Sequence, residues 1–229
     1  MSLAHRHRQP ELMDDPALDP VEHRRALAGL ARINSLSGSA KVLWPALRKL
    51  ARELNRPLRV LDIATGSGDV PLALRRFAEK ERLPITFAGC DLSEVAIEVA
   101  KRTSGDVRFF THDLLNDPLP SGFDAFTCSL FLHHLDEPDV VALLAKLRGA
   151  NPRLILASDL LRSRFNLAAV WAVARLVSRS RVVHVDGPLS IRGAFTVPEM
   201  RAMAERAGLH GATVGAKFPC RMLLEWWGG

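Results

Sequence analysis

Residues 58–69 read LRVLDIATGSGD, an apolar strand that runs directly into a glycine turn, with an acid, Asp62, near the strand's end. Gly66 and Gly68 carry no Cβ and can take positive φ, so a ligand can lie against the backbone at both positions. Asp69 and Val70 then open a helix whose free N–H groups favour negative charge or electron-rich oxygen. The dinucleotide fingerprint Gly-x-Gly-x-x-Gly fails here, because counting from Gly66 puts Pro71 where the third glycine belongs. That weakens a pyrophosphate reading and leaves acid-x-small-x-Gly-x-Gly, carried by Asp62, Ala64, Gly66 and Gly68.

The order of elements extends the argument. A helix over about 70–80 is followed by an apolar strand over 85–90 that ends at Asp91, and Ser93 can cap a helix to about Arg102. Further strands are expected over 107–111, 123–130 and 153–158, with a helix over about 138–147. Thr196 and Glu199 form a capping box that opens a helix to about Ala207, and 212–216 with 221–226 make a terminal hairpin. Strands alternating with helices imply an α/β, doubly wound, mostly parallel sheet of seven strands, in which ligands sit beyond the carboxyl ends of the strands. Asp62, Asp91 and Asp113 all fall at or just past such ends.

The acid and glycine pattern at Asp62, Ala64, Gly66 and Gly68 resembles the first motif of class I S-adenosylmethionine-dependent methyltransferases, with Ala64 in place of the commonest glycine. The resemblance implies a Rossmann-like fold and S-adenosylmethionine as cofactor. In that site Asp91, next to Leu92, would accept from both ribose hydroxyls, and Asp113 would accept from the adenine amino group beside the backbone of Leu114. Asp62 and the turn residues Thr65, Gly66, Ser67 and Gly68 would hold the amino acid end directly or through water, with Ser129 offering a nearby hydroxyl. The stretch from Phe123 through Ser129 to His133, His134 and Leu135 looks like the fourth-strand motif of the subgroup that includes the ubiquinone and menaquinone biosynthesis enzymes. Leu189 to Arg192, Phe195-Thr196, and Asn34 with Leu43-Trp44 are similar to further segments of that subgroup. The chain has no tyrosine, so any role a tyrosine fills in a relative falls to another residue.

Composition leaves room for such an enzyme. The 229 residues suit one domain with helical elaborations, and 48% hydrophobic against 24% charged residues is ordinary for a soluble globule. No secretory signal is evident, and the longest apolar stretch, 165–177, is interrupted by Asn166 and Arg175 and is too short to span a bilayer. Cys90, Cys128 and Cys220 lie far apart, which fits a reduced cytoplasmic setting and offers no metal-ligand spacing. The net charge of +6 raises the question of nucleic acid, but the arginines are spread through the chain without an interleaved aromatic tract, which argues against a nucleic-acid partner.

Methyl transfer asks the protein to align an acceptor in line with the activated methyl group and keep it nucleophilic. A phenol or enol must lose its proton, which histidine can accept near neutral pH. The candidates are His133 and His134 past the fourth strand, and His184 with Asp186 further on; Arg192 is a candidate for stabilising an oxyanion. The acceptor side is expected in an insertion over 162–196, where Phe165, Leu167, Val170, Trp171, Val173 and Leu176 form an apolar helix face flanked by Arg162, Arg164, Arg175, Arg179 and Arg181. Such a face can grip a hydrophobic small-molecule acceptor or rest transiently on a membrane surface. Residues 11–50 are expected to form a helical lid over the cofactor, residues 1–10 a flexible N-terminus, and 51–229 the methyltransferase domain. The expected reaction is methylation, at oxygen or carbon, of an aromatic, quinone-like or polyketide-derived small molecule. The rival readings are an RNA methyltransferase, a nicotinamide-dependent oxidoreductase and a non-catalytic cofactor-binding protein.

Overall fold

The computed structural model describes residues 3–15 and 17–229. Seven strands, β1 (Leu58–Ile63), β2 (Ile85–Asp91), β3 (Arg108–Thr111), β4 (Ala125–Ser129), β5 (Leu154–Leu160), β6 (Thr213–Lys217) and β7 (Arg221–Trp227), form one sheet in the order β3-β2-β1-β4-β5-β7-β6. Strands β1 to β5 run parallel, and β7 enters antiparallel between β5 and β6. The chain order reverses at β1, which pairs with β2 on one side and β4 on the other. A crevice is therefore expected past their carboxyl ends.

Burial on both faces follows from the sequence of β1. Leu58 and Val60 join the core beneath α2 (Ser39–Glu53), α3 (Asp69–Glu81) and α4 (Glu94–Arg102). Leu61 and Ile63 join the opposite core, beneath α5 (Glu137–Gly149) and α8 (Val197–Arg206). A strand buried on both sides needs a nearly continuous apolar run, which is what 58–63 supplies apart from Arg59 and Asp62. The capping box forms, with the Thr196 amide donating to Glu199 Oε2 at 2.7 Å and the Glu199 amide donating to Thr196 Oγ1 at 3.5 Å. The terminal hairpin also lies where the sequence puts it.

Two expectations about the N-terminal fifty residues change. Helix α2 is a layer of the domain rather than part of a lid: Leu43, Leu47 and Leu50 are buried against the β1 side of the core, and Trp44 Nε1 donates to Glu81 Oε1 at 2.9 Å. Its apolar positions are spaced to face the sheet, so it cannot swing away without exposing them. Helix α1 (Pro20–Leu36) bridges two sets of helices, packing with α6 (Arg164–Val177) and α7 (Arg181–Gly193) on one side and with α4, α3 and α2 on the other. Asn34, near its end, bonds to the Asp69 carboxylate that opens α3 and accepts from the buried Arg221 guanidinium at 3.1 Å.

The expectation of a flexible 1–10 falls partly on Met1 and Ser2, which lie outside the described residues. From Leu3 onward the segment is an extended strap. Arg6 donates to the carbonyls of Gly193 at 2.6 Å, His133 at 3.0 Å and Leu135 at 2.6 Å, and its guanidinium lies 4.0 Å from the centroid of the Phe195 ring. Arg8 makes a two-pronged bond to Asp136, and the His7 amide donates to the Arg192 carbonyl. Arginine gives a polar strap this hold because its planar fork satisfies several carbonyls at once.

Candidate active site

The turn after β1 carries three positive φ values, 49° at Ala64, 55° at Gly66 and 76° at Gly68. Alanine in this conformation is strained by roughly 1–2 kcal/mol, a cost a glycine there would not carry. The two glycines serve different ends. A Cβ on Gly66 would meet nothing within 4 Å, so its backbone faces open space, whereas a Cβ on Gly68 would fall 2.5 Å from the Phe109 ring. Only Gly66 therefore leaves its backbone open to a ligand; Gly68 is required by packing.

The three strand-end acids also divide. Asp62 is buried and accepts from Thr65 Oγ1 at 2.7 Å and Thr127 Oγ1 at 2.6 Å. Burial pushes its carboxyl up to about 7 in spite of those two hydroxyls. It acts as the internal pin of the turn, set back from the open side. Asp91 accepts from the Gly66 amide at 2.8 Å and the Ser93 amide at 2.9 Å, clamping the glycine turn to the end of β2, and burial raises its carboxyl. Asp113 is only partly covered and closes its own turn, accepting from the amides of Leu115 and Asn116 and from Asn116 Nδ2, which lowers its carboxyl. Leu114 is buried behind it, Leu92 is exposed past Asp91, and the Ser67 hydroxyl leans on Asp69 at 3.4 Å.

Other polar atoms near these ends lack partners among the described residues. Ser129 Oγ at the end of β4 and His112 Nε2 after β3 are buried without a hydrogen bond, as are Nε and Nη1 of Arg221 at the start of β7. Buried donors and acceptors of this kind are costly unless something completes them. An adenosyl cofactor with an amino acid tail fits what is present. It brings hydroxyls for Asp91, a carboxylate for the Ser129 hydroxyl and the buried Arg221 guanidinium, and a flat base for the β2–β3 side.

A second cluster lies past β4 and β5. His133 Nδ1 is 2.6 Å from Asp159 Oδ1, and the His133 amide donates to Asp159 Oδ2 at 3.0 Å. His134 Nδ1 is 2.9 Å from Asp14 Oδ2, and the two rings lie 4.3 Å apart between centroids. A carboxylate only accepts, so each imidazole carries a proton on Nδ1, and both Nε2 atoms face Glu11, at 3.7 Å from His133 and 3.9 Å from His134. Burial opposes the charged form of His134, but the bond to Asp14 and the charge of Glu11 outweigh it and raise the ring to about 9. Burial likewise opposes ionisation of Asp159, and the His133 ring outweighs it and holds the carboxyl below its ordinary value.

The sequence missed Glu11, Asp14 and Asp159. Asp159 had a signal, since it stands at a strand end like the three acids that were singled out, but the expected strand stopped one residue short. Glu11 and Asp14 come from a strap more than a hundred residues away, and no local pattern ties them to the histidines. His184 and Asp186 do not join this cluster as a pair. His184 Nε2 bonds to the Ser178 carbonyl at 2.7 Å, while Asp186 accepts from the amides of Leu12 and Met13 at 2.9 and 3.0 Å. Burial raises the Asp186 carboxyl to about 6. Arg192 gives its carbonyl to the strap, and Arg162 is a buried knot joining Leu3, Ala194 and Glu199. The apolar face expected to grip the acceptor is split: Leu167 and Val170 are half-buried, but Phe165, Trp171, Val173 and Leu176 point to solvent.

The fold, the unpartnered polar atoms and the relatives that follow define the class: a Rossmann-like enzyme that transfers a methyl group from S-adenosylmethionine. Residues 60–150 match the family described as methyltransferase domain. The demethylmenaquinone methyltransferase of Deinococcus radiodurans is 32% identical over 167 residues, covering 66% of this chain and 67% of that protein. The demethylmenaquinone methyltransferase of Thermus thermophilus is 33% identical over 131 residues, covering 53% of this chain and 56% of that protein. The match thus spans between half and about two thirds of these relatives' lengths. Among solved structures, the O-methyltransferase NcsB1 from neocarzinostatin biosynthesis, bound to S-adenosylhomocysteine and 1,4-dihydroxy-2-naphthoic acid, superposes with a TM-score of 0.66 at 19% identity, covering 96% of this chain and 62% of that one. Magnesium protoporphyrin IX methyltransferase from Synechocystis, with bound S-adenosylhomocysteine, gives 0.57 at 16% identity, covering 94% and 90%. The chain belongs to the class I S-adenosylmethionine-dependent methyltransferases and resembles those of quinone biosynthesis.

Proposed function

We propose that this enzyme methylates oxygen or carbon of a small aromatic acceptor, quinone-like or polyketide-derived, and that the His133–His134 cluster handles the acceptor's proton. The observation that carries this reading is the paired arrangement of the two rings, each oriented by its own carboxylate and each turning Nε2 to the same point. The names of the relatives, which concern a demethylated quinone and a dihydroxynaphthoic acid, agree with it.

S-adenosylmethionine supplies a methyl group already activated on a sulfonium. The residues that would hold it are Asp91 at the ribose, the open Gly66 backbone with Ser129 and Arg221 at the amino acid end, and the Asp113–Leu114 turn at the adenine. The protein's remaining task is at the acceptor. His133, with Nδ1–H committed to Asp159, presents a lone pair at Nε2 and acts as the base. His134 is charged near neutral pH, since its ring is raised to about 9, and stabilises the developing oxyanion. Glu11 occupies the space before both rings, so an acceptor hydroxyl reaches His133 as the strap carboxylate gives way.

The test is incubation of the full chain with methyl-labelled S-adenosylmethionine and a panel of phenols, reduced quinones and bulk RNA. Label on a phenol or hydroquinone is the expected result. Label only in RNA, or release of S-adenosylhomocysteine with no labelled aromatic, would overturn the reading.

A further inference from the structure

The residues from 160 to 185 contain no acid, and they carry Arg162, Arg164, Arg175, Arg179 and Arg181. Arg162 is buried, and the other four are exposed. Between them α6 turns large apolar side chains to solvent, with Phe165 72% exposed, Leu176 85% and Trp171 52%. At 100° per residue, Phe165, Ala169, Ala172, Val173 and Leu176 fall on one stripe, while Ala174, Val170 and Leu167 face the protein. Trp171 borders the stripe with the Arg175 guanidinium 4.1 Å from its ring centroid. Scattered exposed apolar residues are ordinary, but a contiguous helical stripe of this kind marks a contact surface.

A second feature begins where the stripe ends. Arg25, Ala28, Arg32, Ser178, Arg179 and Ser180 line an open hollow of about 390 Å³ between α1 and the α6–α7 link. Ser180 Oγ is buried there with no partner among the described residues. Arg25 is shared with the half-buried Glu22 on its own helix, which leaves Arg32 and Arg179 as the hollow's other cations. Two guanidiniums not shared with Glu22, beside an unsatisfied hydroxyl, suit a phosphate.

We propose that α6 and this hollow form one docking surface for an anionic phospholipid bilayer. The apolar stripe enters the boundary between headgroups and acyl chains, Trp171 sits at headgroup level, and the arginines spread to phosphates while their stems cover apolar surface. The hollow takes one headgroup phosphate. A second copy of the chain suits this face less well, because a two-fold contact would bring two sets of Arg164, Arg175 and Arg179 into one interface with no carboxylate from 160 to 185 to offset them. Helix α6 follows directly from the carboxyl end of β5, so docking brings that edge of the sheet beside the bilayer, where an amphiphilic acceptor would partition. The surface stands independently of the acceptor assignment.

Sedimentation of the full chain with vesicles tests it, using phosphatidylcholine alone and phosphatidylcholine mixed with phosphatidylglycerol. Binding is expected only to the anionic vesicles and should weaken in high salt. Leu176→Glu and Phe165→Glu, at exposed positions, should each reduce partitioning about tenfold or more, as should Arg32→Glu combined with Arg179→Glu. S-adenosylhomocysteine affinity reports that each variant is folded. Wild-type protein that stays in the supernatant, variants that sediment like wild type, or a lipid-free dimer that Leu176→Glu dissolves would each overturn the proposal.

Discussion

The two halves of the carboxyl edge are built in contrasting ways. On the β1–β2–β3 side the site is made by short-range chemistry: a glycine turn, its pin Asp62, and Asp91 one strand away that clamps it. On the β4–β5 side it is made by distant partners, with the strap supplying Glu11 and Asp14 to histidines more than a hundred residues later. On the reading proposed above, the cofactor is served by a local motif and the acceptor by long-range contacts between the strap and the histidines. The first should tolerate loss of the strap, and the second should not.

The largest expected effect falls on the acceptor side. Asp159→Asn leaves His133 without the acceptor that fixes its tautomer, and kcat should drop on the order of 100-fold or more while cofactor affinity holds. Steady-state kinetics beside cofactor titration reads this, and a variant impaired equally in both would erase the contrast between the two regions. Within the glycine turn, Gly68→Ala should cost about 2–4 kcal/mol, from the contact with Phe109 added to the strain of positive φ, whereas Gly66→Ala should cost roughly 1 kcal/mol and act mainly on cofactor binding. Denaturant melts of the two variants compare them; equal losses would mean that Gly68 is not held by Phe109.

The regions also titrate in different windows. Asp62 has a folded pKa raised from 3.8 to about 7, so its contribution to stability is full below 3.8 and is lost as pH rises through about 7. His134 is raised from 6.5 to about 9, so its contribution is full below 6.5 and is lost as pH rises through about 9. Asp62→Asn should flatten the stability profile in the lower window and His134→Gln in the upper one. Crossed or identical effects would contradict the assignment. The smallest effect is a gain: Ala64→Gly relieves a positive φ of 49° and should raise stability by about 0.5–1 kcal/mol, read as a higher melting temperature.

The same contrast explains what the sequence made legible. The apolar run at 58–63, the glycines and the capping box at Thr196 each announce an element through neighbours in the chain, and the sheet follows from them. Asp62 and Asp91 were recognisable as strand-end acids, although burial turned Asp62 into a pin. The strap was not legible, because a polar stretch rich in arginine and histidine reads as solvated until Gly193, His133 and Leu135 are seen to offer it carbonyls. Helix α6 shows the converse limit. Its apolar periodicity is plain, but periodicity does not say whether the stripe faces a core, an acceptor or solvent.

The most direct test of the central claim, that acceptor activation resides in the histidine cluster and cofactor binding in the glycine turn, is His133→Ala examined in two assays. Calorimetric titration with S-adenosylhomocysteine should give an affinity within about twofold of wild type, while single-turnover methylation of the best aromatic acceptor should slow on the order of 100-fold or more. Wild-type turnover in the variant, or loss of cofactor binding in step with loss of methylation, would contradict it.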